Sequence, residues 1–358
     1  MIVLSDRVRV HFGDARDVLR TLPARSVDCV VTSPPYWQLR DYGHPEQLGM
    51  EETPDGFVRR LVSIFDDVRR VLTPDGVVWL NLGDTYTGGR NGGIGASSLT
   101  SQRNHIAARK AWLASPTRTH RSAPGIKQKE LVGIPWRVAL AMQAAGWFLR
   151  SEIVWCKPTA MPESVRDRPS RDHEHVFLLS RSKRYFYNAD AIRTPLRPST
   201  LTTHGRSIRG SRGEDDDRVR SHGWAKRAPK RIAKVDEDGN LIGANARTVW
   251  RTAIEEEIAR LHRALEVGSE SVWPIVQDRW EGEHTSTFPV ALARRCILAG
   301  CPIGGTVLDP FCGTGTTLAA ALEVGCESIG IDISEGVLPE IEQRLAGVQL
   351  ALPEVAAR

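Results

Sequence analysis

Short, nearly continuous apolar runs recur along the chain and alternate with longer segments of helical periodicity. Runs of this kind are typical of strands buried on both faces of a parallel sheet, so the alternation predicts an α/β fold. Predicted strands cover residues 8–12, 27–31, 77–82, 150–156, 175–179, 306–309 and 327–333. Predicted helices cover residues 56–72, 131–145, 247–265, 288–298 and 318–323.

The pattern weakens in two places, and this defines the predicted domain organisation. Residues 85–130 form a long loop without apolar periodicity, and residues 191–280 interrupt the alternation of strands and helices. We therefore expect one sheet built from two sequence segments, residues 1–190 and 281–358, with an insertion between them. A helix over residues 247–265 is the one regular element predicted inside the insertion.

Composition is that of a soluble protein. The 358 residues are 41% apolar, which is enough for a large core, and no apolar run approaches the length of a membrane span. Charged residues within the first ten positions argue against a signal peptide, so we expect a cytoplasmic protein. The six cysteines are scattered and contain no CxxC pair, which predicts reduced core thiols and no metal site.

The positive charge is concentrated in the two irregular segments. Residues 85–129 contain eight lysines or arginines and no acid, and residues 193–234 contain twelve against four acids. Solvated flexible loops are the simplest interpretation of such charge runs, and binding to a phosphate backbone is the alternative.

A first chemical motif, Thr32-Ser33-Pro34-Pro35-Tyr36-Trp37, directly follows the predicted strand 27–31. In open α/β sheets, ligands bind at the carboxyl ends of the strands. The serine offers a hydrogen-bond acceptor, the prolines stiffen the turn, and the tyrosine offers a flat ring. This set suits a planar ring that carries an amine, although a proline-rich turn without function has the same composition.

A second motif lies far away, where the predicted strand 306–309 leads through Pro310-Phe311-Cys312-Gly313-Thr314-Gly315 into a helix. Glycines allow a ligand close to the backbone, and the helix start offers free amide groups. The next predicted strand ends at Asp332, where an acid commonly binds ribose hydroxyls. Together these features predict a nucleotide-type site. The sequence lacks both the lysine of a P-loop and the spacing GxGxxG of a dinucleotide fold.

The pair SPPYW and DPFCGTGTT resembles the amino-group DNA methyltransferases that use S-adenosylmethionine, in the permuted arrangement where the catalytic motif precedes the cofactor motif. The resemblance covers most of residues 1–190 and 281–350. It extends in the same order to the segments HFGD, GVVWLNLGD, IPWR, GWFLRS, WCKP, HEH and HTSTFP. It implies a Rossmann-like, doubly wound, mostly parallel sheet, circularly permuted in sequence, with residues 191–280 as an inserted target-recognition region.

The resemblance also implies roles for individual residues. The catalytic residues are Ser33, Pro34, Pro35 and Tyr36, with Tyr36 stacking on a base flipped out of duplex DNA. The residues implied to bind S-adenosylmethionine are Asp14, Thr285, Ser286, Thr287, Asp309, Phe311, Gly313, Thr314, Gly315 and Asp332. The residues expected to bind DNA are Arg193, Arg197, Arg206, Arg209, Arg212, Lys226, Arg227, Lys230 and Arg231.

Several of these residues have purely structural alternatives. Asp14 and Asp332 are also suited to capping a following helix, and Phe311 to packing in the core. Trp37 is equally suited to the wall of the site and to contact with the base. His173 and His175, two apart on a predicted strand, share one face without Glu174 and fit a structural or DNA-facing role.

Within the family that the chain resembles, SPPY usually accompanies methylation of cytosine N4, whereas an aspartate in the first position more often accompanies adenine N6. The serine favours cytosine N4, with adenine N6 as the alternative. An idle DNA-binding protein or an RNA-directed enzyme is a remote alternative, because both motifs are intact and no RNA-binding module is recognisable. Double-stranded DNA is the expected partner. A cognate restriction endonuclease, and a monomer or a homodimer, are compatible with the sequence.

Overall fold

The predicted apolar runs form the strands of one mixed sheet in the computed structural model. The structure describes residues 1–39, 41, 44–88, 123–157, 165–193, 233–235, 241–244, 249–251 and 288–348. Strands of the main sheet lie in the order β1-β2-β11-β10-β3-β4-β6-β5-β9, and β7 and β8 pair separately.

The strands are β1 (Ile2–Ser5), β2 (Val8–Phe12), β3 (Val27–Thr32), β4 (Leu72–Leu82), β5 (Phe148–Cys156), β6 (His173–Ser180), β7 (Ala233–Val235), β8 (Leu241–Ala244), β9 (Val249–Arg251), β10 (Thr306–Asp309) and β11 (Glu327–Asp332). The α-helices are α1 (Ala15–Thr21), α2 (Pro54–Val71), α3 (Ile134–Ala144), α4 (Val290–Gly300), α5 (Thr316–Glu323) and α6 (Leu338–Ala346).

Helices cover both faces of the sheet, because alternate side chains of each central strand point in opposite directions. Val30 of β3 packs on one face with residues of α1, α2 and α3. Its neighbours Cys29 and Val31 pack on the other face with α4 and α5. The longest of these helices, α2, begins with Thr53 accepting a hydrogen bond from the Gly56 amide at 3.0 Å, which caps the helix start.

Five neighbouring strands, β2, β11, β10, β3 and β4, run parallel to one another. Their carboxyl ends therefore meet at one edge of the sheet, where both predicted motifs lie. The strands β6 and β5 continue the sheet in antiparallel pairing. The prediction of a doubly wound, mostly parallel α/β sheet is confirmed, and circular permutation stays a prediction.

The insertion departs from its predicted structure. Residues 249–251, predicted as the start of a helix over 247–265, form strand β9, which pairs in parallel with β5 at the sheet edge. The remainder of that predicted helix lies outside the described residues. Sequence periodicity misjudged this segment because hydrogen bonding to an existing sheet edge can override helix propensity.

The long loop is anchored at both ends. Tyr86 pairs with Leu131, and the amide of Thr87 donates to the Glu130 carbonyl oxygen at 2.9 Å. Residues 89–122, the main part of the predicted basic loop, lie outside the described structure. The cysteines within the described ranges are free thiols, as predicted. Among the described helices, none is both long and apolar enough to cross a membrane.

Candidate active site

The SPPY segment follows the end of β3, and the two residues after it, Trp37 and Gln38, fix its position through hydrogen bonds to the backbone. Trp37 is 1% exposed, and its indole Nε1 donates to the Glu51 carbonyl oxygen at 2.8 Å. The amide of Gln38 donates to the Gly49 carbonyl oxygen at 2.6 Å. Trp37 is thus part of the wall of the site, one of the two roles considered from the sequence. Its packing holds the preceding residues, which are predicted to be catalytic, in place.

Tyr36 lies directly over Gly83, at the end of β4. A Cβ atom added to Gly83 would come within 2.5 Å of Tyr36 Cε2, so no larger residue fits there without moving the ring. The tyrosine is half-buried. One side of the ring is therefore fixed by the backbone of the neighbouring strand.

A network of side chains connects the predicted catalytic serine to a carboxylate on another strand. Ser33 Oγ donates to Tyr36 Oη at 3.3 Å, and Tyr36 Oη donates to Glu174 Oε2 at 2.7 Å. Asn81 Nδ2 lies 2.8 Å from the same Glu174 oxygen and 3.0 Å from Tyr36 Oη. Lys157 at the end of β5 forms an ion pair with the other oxygen of Glu174.

The environment shifts the pKa of two groups in this network in opposite directions. Burial, together with the charge of Glu174, raises the pKa of Tyr36 well above its ordinary value. Burial alone would also raise the pKa of Glu174. The charge of Lys157 and the hydrogen bonds from Lys157, Asn81 and Tyr36 outweigh burial and lower the pKa. Near neutral pH the network therefore holds a neutral tyrosine beside an ionised glutamate.

The second motif forms a loop between β10 and α5 with two left-handed glycines. Gly313 has φ +47° and Gly315 has φ +77°, a conformation that favours glycine. A Cβ at Gly313 would meet no described atom within 4 Å, whereas one at Gly315 would lie 3.1 Å from Ile341 Cγ2 of α6. Gly313 is thus open toward a ligand, and Gly315 allows the close packing of α6.

Asp332 joins this loop to the end of β11. Its carboxylate accepts hydrogen bonds from the Gly313 amide at 2.9 Å and from the Ser334 amide at 2.9 Å. The side chain is half-buried, and a carboxylate has further lone pairs for an incoming donor. Ser334, rather than Asp332, caps the short 3₁₀ helix that follows by accepting from the Gly336 amide.

Asp309 lies behind the loop and is 1% exposed. Its carboxylate accepts from Thr32 Oγ1 at 2.6 Å, Thr317 Oγ1 at 2.6 Å and the Phe311 amide at 3.0 Å. Burial raises the pKa of Asp309 to about 6. The sequence suggested that Asp309 binds the cofactor. The structure places it as a buried junction of β3, β10 and α5 that holds the glycine loop, and its part in binding the cofactor stays a prediction.

Thr314 also lies away from the open side of the loop and is 1% exposed. The guanidinium of Arg344 in α6 donates to its carbonyl oxygen at 2.9 Å and to its Oγ1 at 3.1 Å. Phe311 is half-buried and packs against the core. These two predicted cofactor residues therefore help to shape the loop, and Phe311 stays partly exposed.

Asp14 follows β2 and caps α1. Its side chain accepts from the Arg16 amide at 2.9 Å, which is the capping role considered for Asp14, while binding of the cofactor stays a prediction. It still lies close to Asp332, because the Gly13 amide donates to the Asp332 carbonyl oxygen at 2.9 Å. The open Gly313 backbone and the carboxylates of Asp332 and Asp14 along one edge fit a ligand with an amine and ribose hydroxyls, as S-adenosylmethionine has.

Other predicted site residues lie beyond the described structure. These are Thr285, Ser286, Thr287, Arg197, Arg206, Arg209, Arg212, Lys226, Arg227, Lys230 and Arg231. Arg193 is described, and its Nε donates to Asp190 Oδ1 at 2.6 Å with only 12% of the side chain exposed. Its charge is therefore already paired within the chain.

The two histidines converge as expected from their strand spacing. The rings of His173 and His175 lie 5.3 Å apart, and His175 Nδ1 is 2.6 Å from Glu152 Oε1. Trp136 packs edge-on against His175, with 5.5 Å between ring centroids. No group of side chains suited to a metal occurs among the residues that the structure describes. The arrangement is consistent with the structural role considered for these histidines.

Sequence reasoning missed four residues that shape the site. Asn81, Lys157 and Glu174 stood inside segments of the family resemblance without an assigned role, and Arg344 lay outside every motif. Polar residues within apolar strand runs were the available signal for Asn81 and Glu174, since such residues are seldom buried without a partner.

Comparisons with known proteins agree with this geometry. A family model described as DNA methylase, covering N6 and N4 methyltransferases, matches residues 27–343. The Type II methyltransferase M.SmaI of Serratia marcescens is 35% identical over 337 residues, which are 94% of this chain and 90% of that protein. M.Cfr9I of Citrobacter freundii is 37% identical and covers 96% of this chain and 90% of its own length.

Among solved structures, the cytosine-N4-specific PvuII DNA methyltransferase superimposes with a TM-score of 0.55. The match covers 98% of this chain and 91% of that chain at 14% sequence identity, and supports the fold alone. The family match spans both the SPPY segment and the glycine loop. The chain belongs to the N6/N4 DNA methylase family, and is thus a DNA methyltransferase that uses S-adenosylmethionine.

Proposed function

We propose that this protein methylates the exocyclic N4 amine of a cytosine at a specific sequence in duplex DNA. The observation that carries the proposal is the neutral Ser33 beside Tyr36 at the end of β3, connected to the network of Asn81 and Glu174. Adenine N6 is the second candidate, because the two bases present similar amines.

The target amine lies inside the double helix, so the nucleotide must be flipped into the site at a cost of a few kcal/mol. The exposed part of the Tyr36 ring supplies a stacking surface for the flipped base. Ser33 Oγ and the Pro34 carbonyl oxygen accept the two amine hydrogens, and Pro35 stiffens the turn that presents them. An amine held in this way has its lone pair less delocalised into the ring and available for attack.

S-adenosylmethionine supplies a methyl group on a positively charged sulfur that leaves as a neutral thioether. The amine nitrogen forms the new bond to carbon with its lone pair as the carbon–sulfur bond breaks, and the resulting cationic nitrogen loses one proton to solvent water. In this chain, Asp332 and Asp14 would bind hydroxyl and amine groups of the methyl donor, and Gly313 and Phe311 would border it. The segment Thr285 to Thr287 is proposed to hold its carboxylate.

Two further residues would support the binding site without contacting the methyl donor. Asp309 and Thr314 would keep the glycine loop in shape without touching the ligand, because each is 1% exposed. Removing either is expected to weaken binding of the methyl donor through a change in the loop.

DNA binding is assigned to the basic segments. Residues 193–234 carry twelve lysines or arginines against four acids, and residues 85–129 carry eight against none. Charges of this kind bind the phosphate backbone without sequence preference. Recognition of the target sequence is proposed to reside in residues 191–280. We further propose that the protein acts in the cytoplasm as a monomer or a homodimer. Its biological partner would be a cognate restriction endonuclease.

Nucleoside mass spectrometry tests the reaction. Unmethylated plasmid is incubated with the protein and S-adenosylmethionine, with the no-donor reaction as control. N4-methyldeoxycytidine is the expected product, and N6-methyldeoxyadenosine would overturn the base assignment. Ser33→Ala should abolish most turnover and leave donor binding unchanged. Asp332→Ala should weaken donor binding first, with Asp17→Ala, at an exposed carboxylate of α1, as its matched control.

A further inference from the structure

The carboxylate of Glu174 has an unusual setting for a residue on a central strand. Only 14% of its side chain is exposed, and its partner Lys157 is 21% exposed. Burying an ion pair costs desolvation free energy that the mutual attraction often does not recover. Lys157 also lies 4.6 Å from the centroid of the Trp155 ring, which fixes the ammonium group further. A pair that contributes little net stability suggests a role in the chemistry of the site.

The direction of the hydrogen bonds in the network follows from the charge of Glu174. An ionised carboxylate only accepts hydrogen bonds, so Tyr36 must donate its single hydroxyl proton to Glu174 Oε2, at 2.7 Å. The lone pairs of Tyr36 Oη then accept from Ser33 at 3.3 Å and from Asn81 at 3.0 Å. Because the Ser33 proton is directed to Tyr36, Ser33 Oγ can otherwise only accept: one lone pair accepts from Asn81 Nδ2 at 3.3 Å, and one remains for another donor.

We infer that Glu174, with Lys157 as its counter-ion, is a positioning residue that fixes Ser33 as the acceptor of a hydrogen bond from the amine being methylated. This inference rests on the proposed function, in which Ser33 binds that amine. Glu174 does not touch the substrate in this arrangement. It acts through Tyr36, so the tyrosine serves as a stacking surface and as the link that orients the serine.

A neutral amide in place of the Glu174 carboxylate no longer fixes the direction of the hydrogen bonds from Ser33 to Tyr36 and from Tyr36 to residue 174. In Glu174→Gln the side chain can donate to Tyr36 Oη, which allows the tyrosine to donate to Ser33 and to occupy the lone pairs that the substrate needs. We expect kcat to fall on the order of 100-fold, since small losses of alignment have effects of this size. The KM and Kd of S-adenosylmethionine should stay within about twofold, because its proposed binding residues belong to other strands.

The matched control is Glu152→Gln. Glu152 lies on β5 and pairs with His175 of β6 at 2.6 Å, so the substitution removes a carboxylate from the same pair of strands without affecting Tyr36. This variant is expected to keep the wild-type kcat. Tyr36→Phe should lose about as much as Glu174→Gln, and the double variant should lose no more than either single variant, because both break the same link.

The pH profile of kcat distinguishes two roles for the ion pair of Glu174 and Lys157: orienting Ser33, or only stabilising the fold. The charged and titratable groups that face the network are Lys157 after β5, Tyr36 after β3, and Arg171 before β6, which acts on Tyr36. Protonation of Glu174 destroys the fixed direction, so kcat should fall as pH falls through the pKa of Glu174. In Lys157→Met the pKa of Glu174 is no longer held down, and this fall should begin at higher pH. The variant Glu174→Gln should show no such fall of kcat at low pH.

Different outcomes would contradict the inference about Glu174 and the proposed methylation of DNA. If wild-type protein methylates DNA and Glu174→Gln retains kcat within about twofold, or loses only affinity for DNA or donor, the inference about Glu174 is wrong. The inference would also be wrong if kcat of Lys157→Met fell at the same low pH as kcat of the wild type. If the wild type forms no methylated nucleoside while it binds the methyl donor, the proposed function itself fails.

Discussion

Replacing Asp309 by asparagine should stabilise the free protein at neutral pH, even though it alters a central residue of the cofactor motif. The Asp309 carboxyl is 1% exposed and its pKa is raised to about 6 from 3.8. A difference of about two pKa units corresponds to about 3 kcal/mol between the two protonation states. The folded state therefore binds more protons than the unfolded state between these pKa values. Stability is lost as pH rises through this window.

The geometry allows asparagine to keep the contacts that matter. Thr32 Oγ1 and the Phe311 amide both donate to Asp309 Oδ1, and an asparagine Oδ1 can accept from both. Thr317 Oγ1 donates to Oδ2 at 2.6 Å but lies 3.2 Å from the Val31 carbonyl oxygen. In the variant this hydroxyl can rotate, accept from the amide Nδ2 and donate to Val31. No buried hydrogen bond is lost, and the buried charge is removed.

The measurement is urea unfolding of wild type and Asp309→Asn from pH 4 to pH 8, without the methyl donor. The free energy of unfolding of the variant relative to wild type should increase by about 2 kcal/mol between pH 4 and pH 7, because the Asp309 carboxyl of the unfolded chain is already partly ionised at pH 4. Any constant offset between the two proteins cancels in this comparison. Asp17→Asn, at an exposed carboxylate, is the control. Parallel stability curves for wild type and Asp309→Asn would refute the reasoning, because they would mean that Asp309 does not titrate in this range.

Three shorter predictions concern the same edge of the sheet. Gly83→Ala should lower turnover at least about tenfold with unchanged donor binding, because the new Cβ displaces Tyr36; Gly347→Ala, which makes only ordinary contacts, is its control in a methylation assay. Arg344→Met should cost about 1–3 kcal/mol in urea unfolding and raise the Kd of S-adenosylmethionine in calorimetry, because the Thr314 carbonyl oxygen loses its donor. In wild type, donor affinity should increase from pH 5 to pH 7 as Asp309 ionises near a cationic ligand, and this increase should be absent in Asp309→Asn.

The strands that form the site could be predicted because each is a short apolar run whose signal is local. Residues 27–32 and 306–309 are buried on both faces, so burial shows directly in their composition. The strand β1 was missed because Ile2–Ser5 alternates half-buried and exposed positions at the edge of the sheet. Its pairing with β2, rather than its own composition, makes it a strand.

The network behind Ser33 could not be predicted because it depends on register between distant segments. Asn81 and Glu174 are 93 residues apart, and they meet only because β4 and β6 pair antiparallel with Asn81 opposite Val176. A shift of one residue would turn Glu174 to the opposite face, where His173 and His175 lie. The sequence indicated that the histidines share a face. It gave no indication that the glutamate on the other face would be directed at Tyr36.

Asp309 and Glu174 show how one edge of a sheet shifts the pKa values of two buried carboxylates in opposite directions. Burial raises the pKa in both cases. Asp309 has only neutral donors, which do not offset burial, whereas Glu174 has the ammonium group of Lys157 and stays ionised. The carboxylate near the proposed methyl donor can thus respond to a bound cation, and the carboxylate behind Ser33 keeps its negative charge near neutral pH. This difference suits the proposed site, which would admit a cationic donor beside Asp309 and hold a neutral amine in one orientation at Ser33.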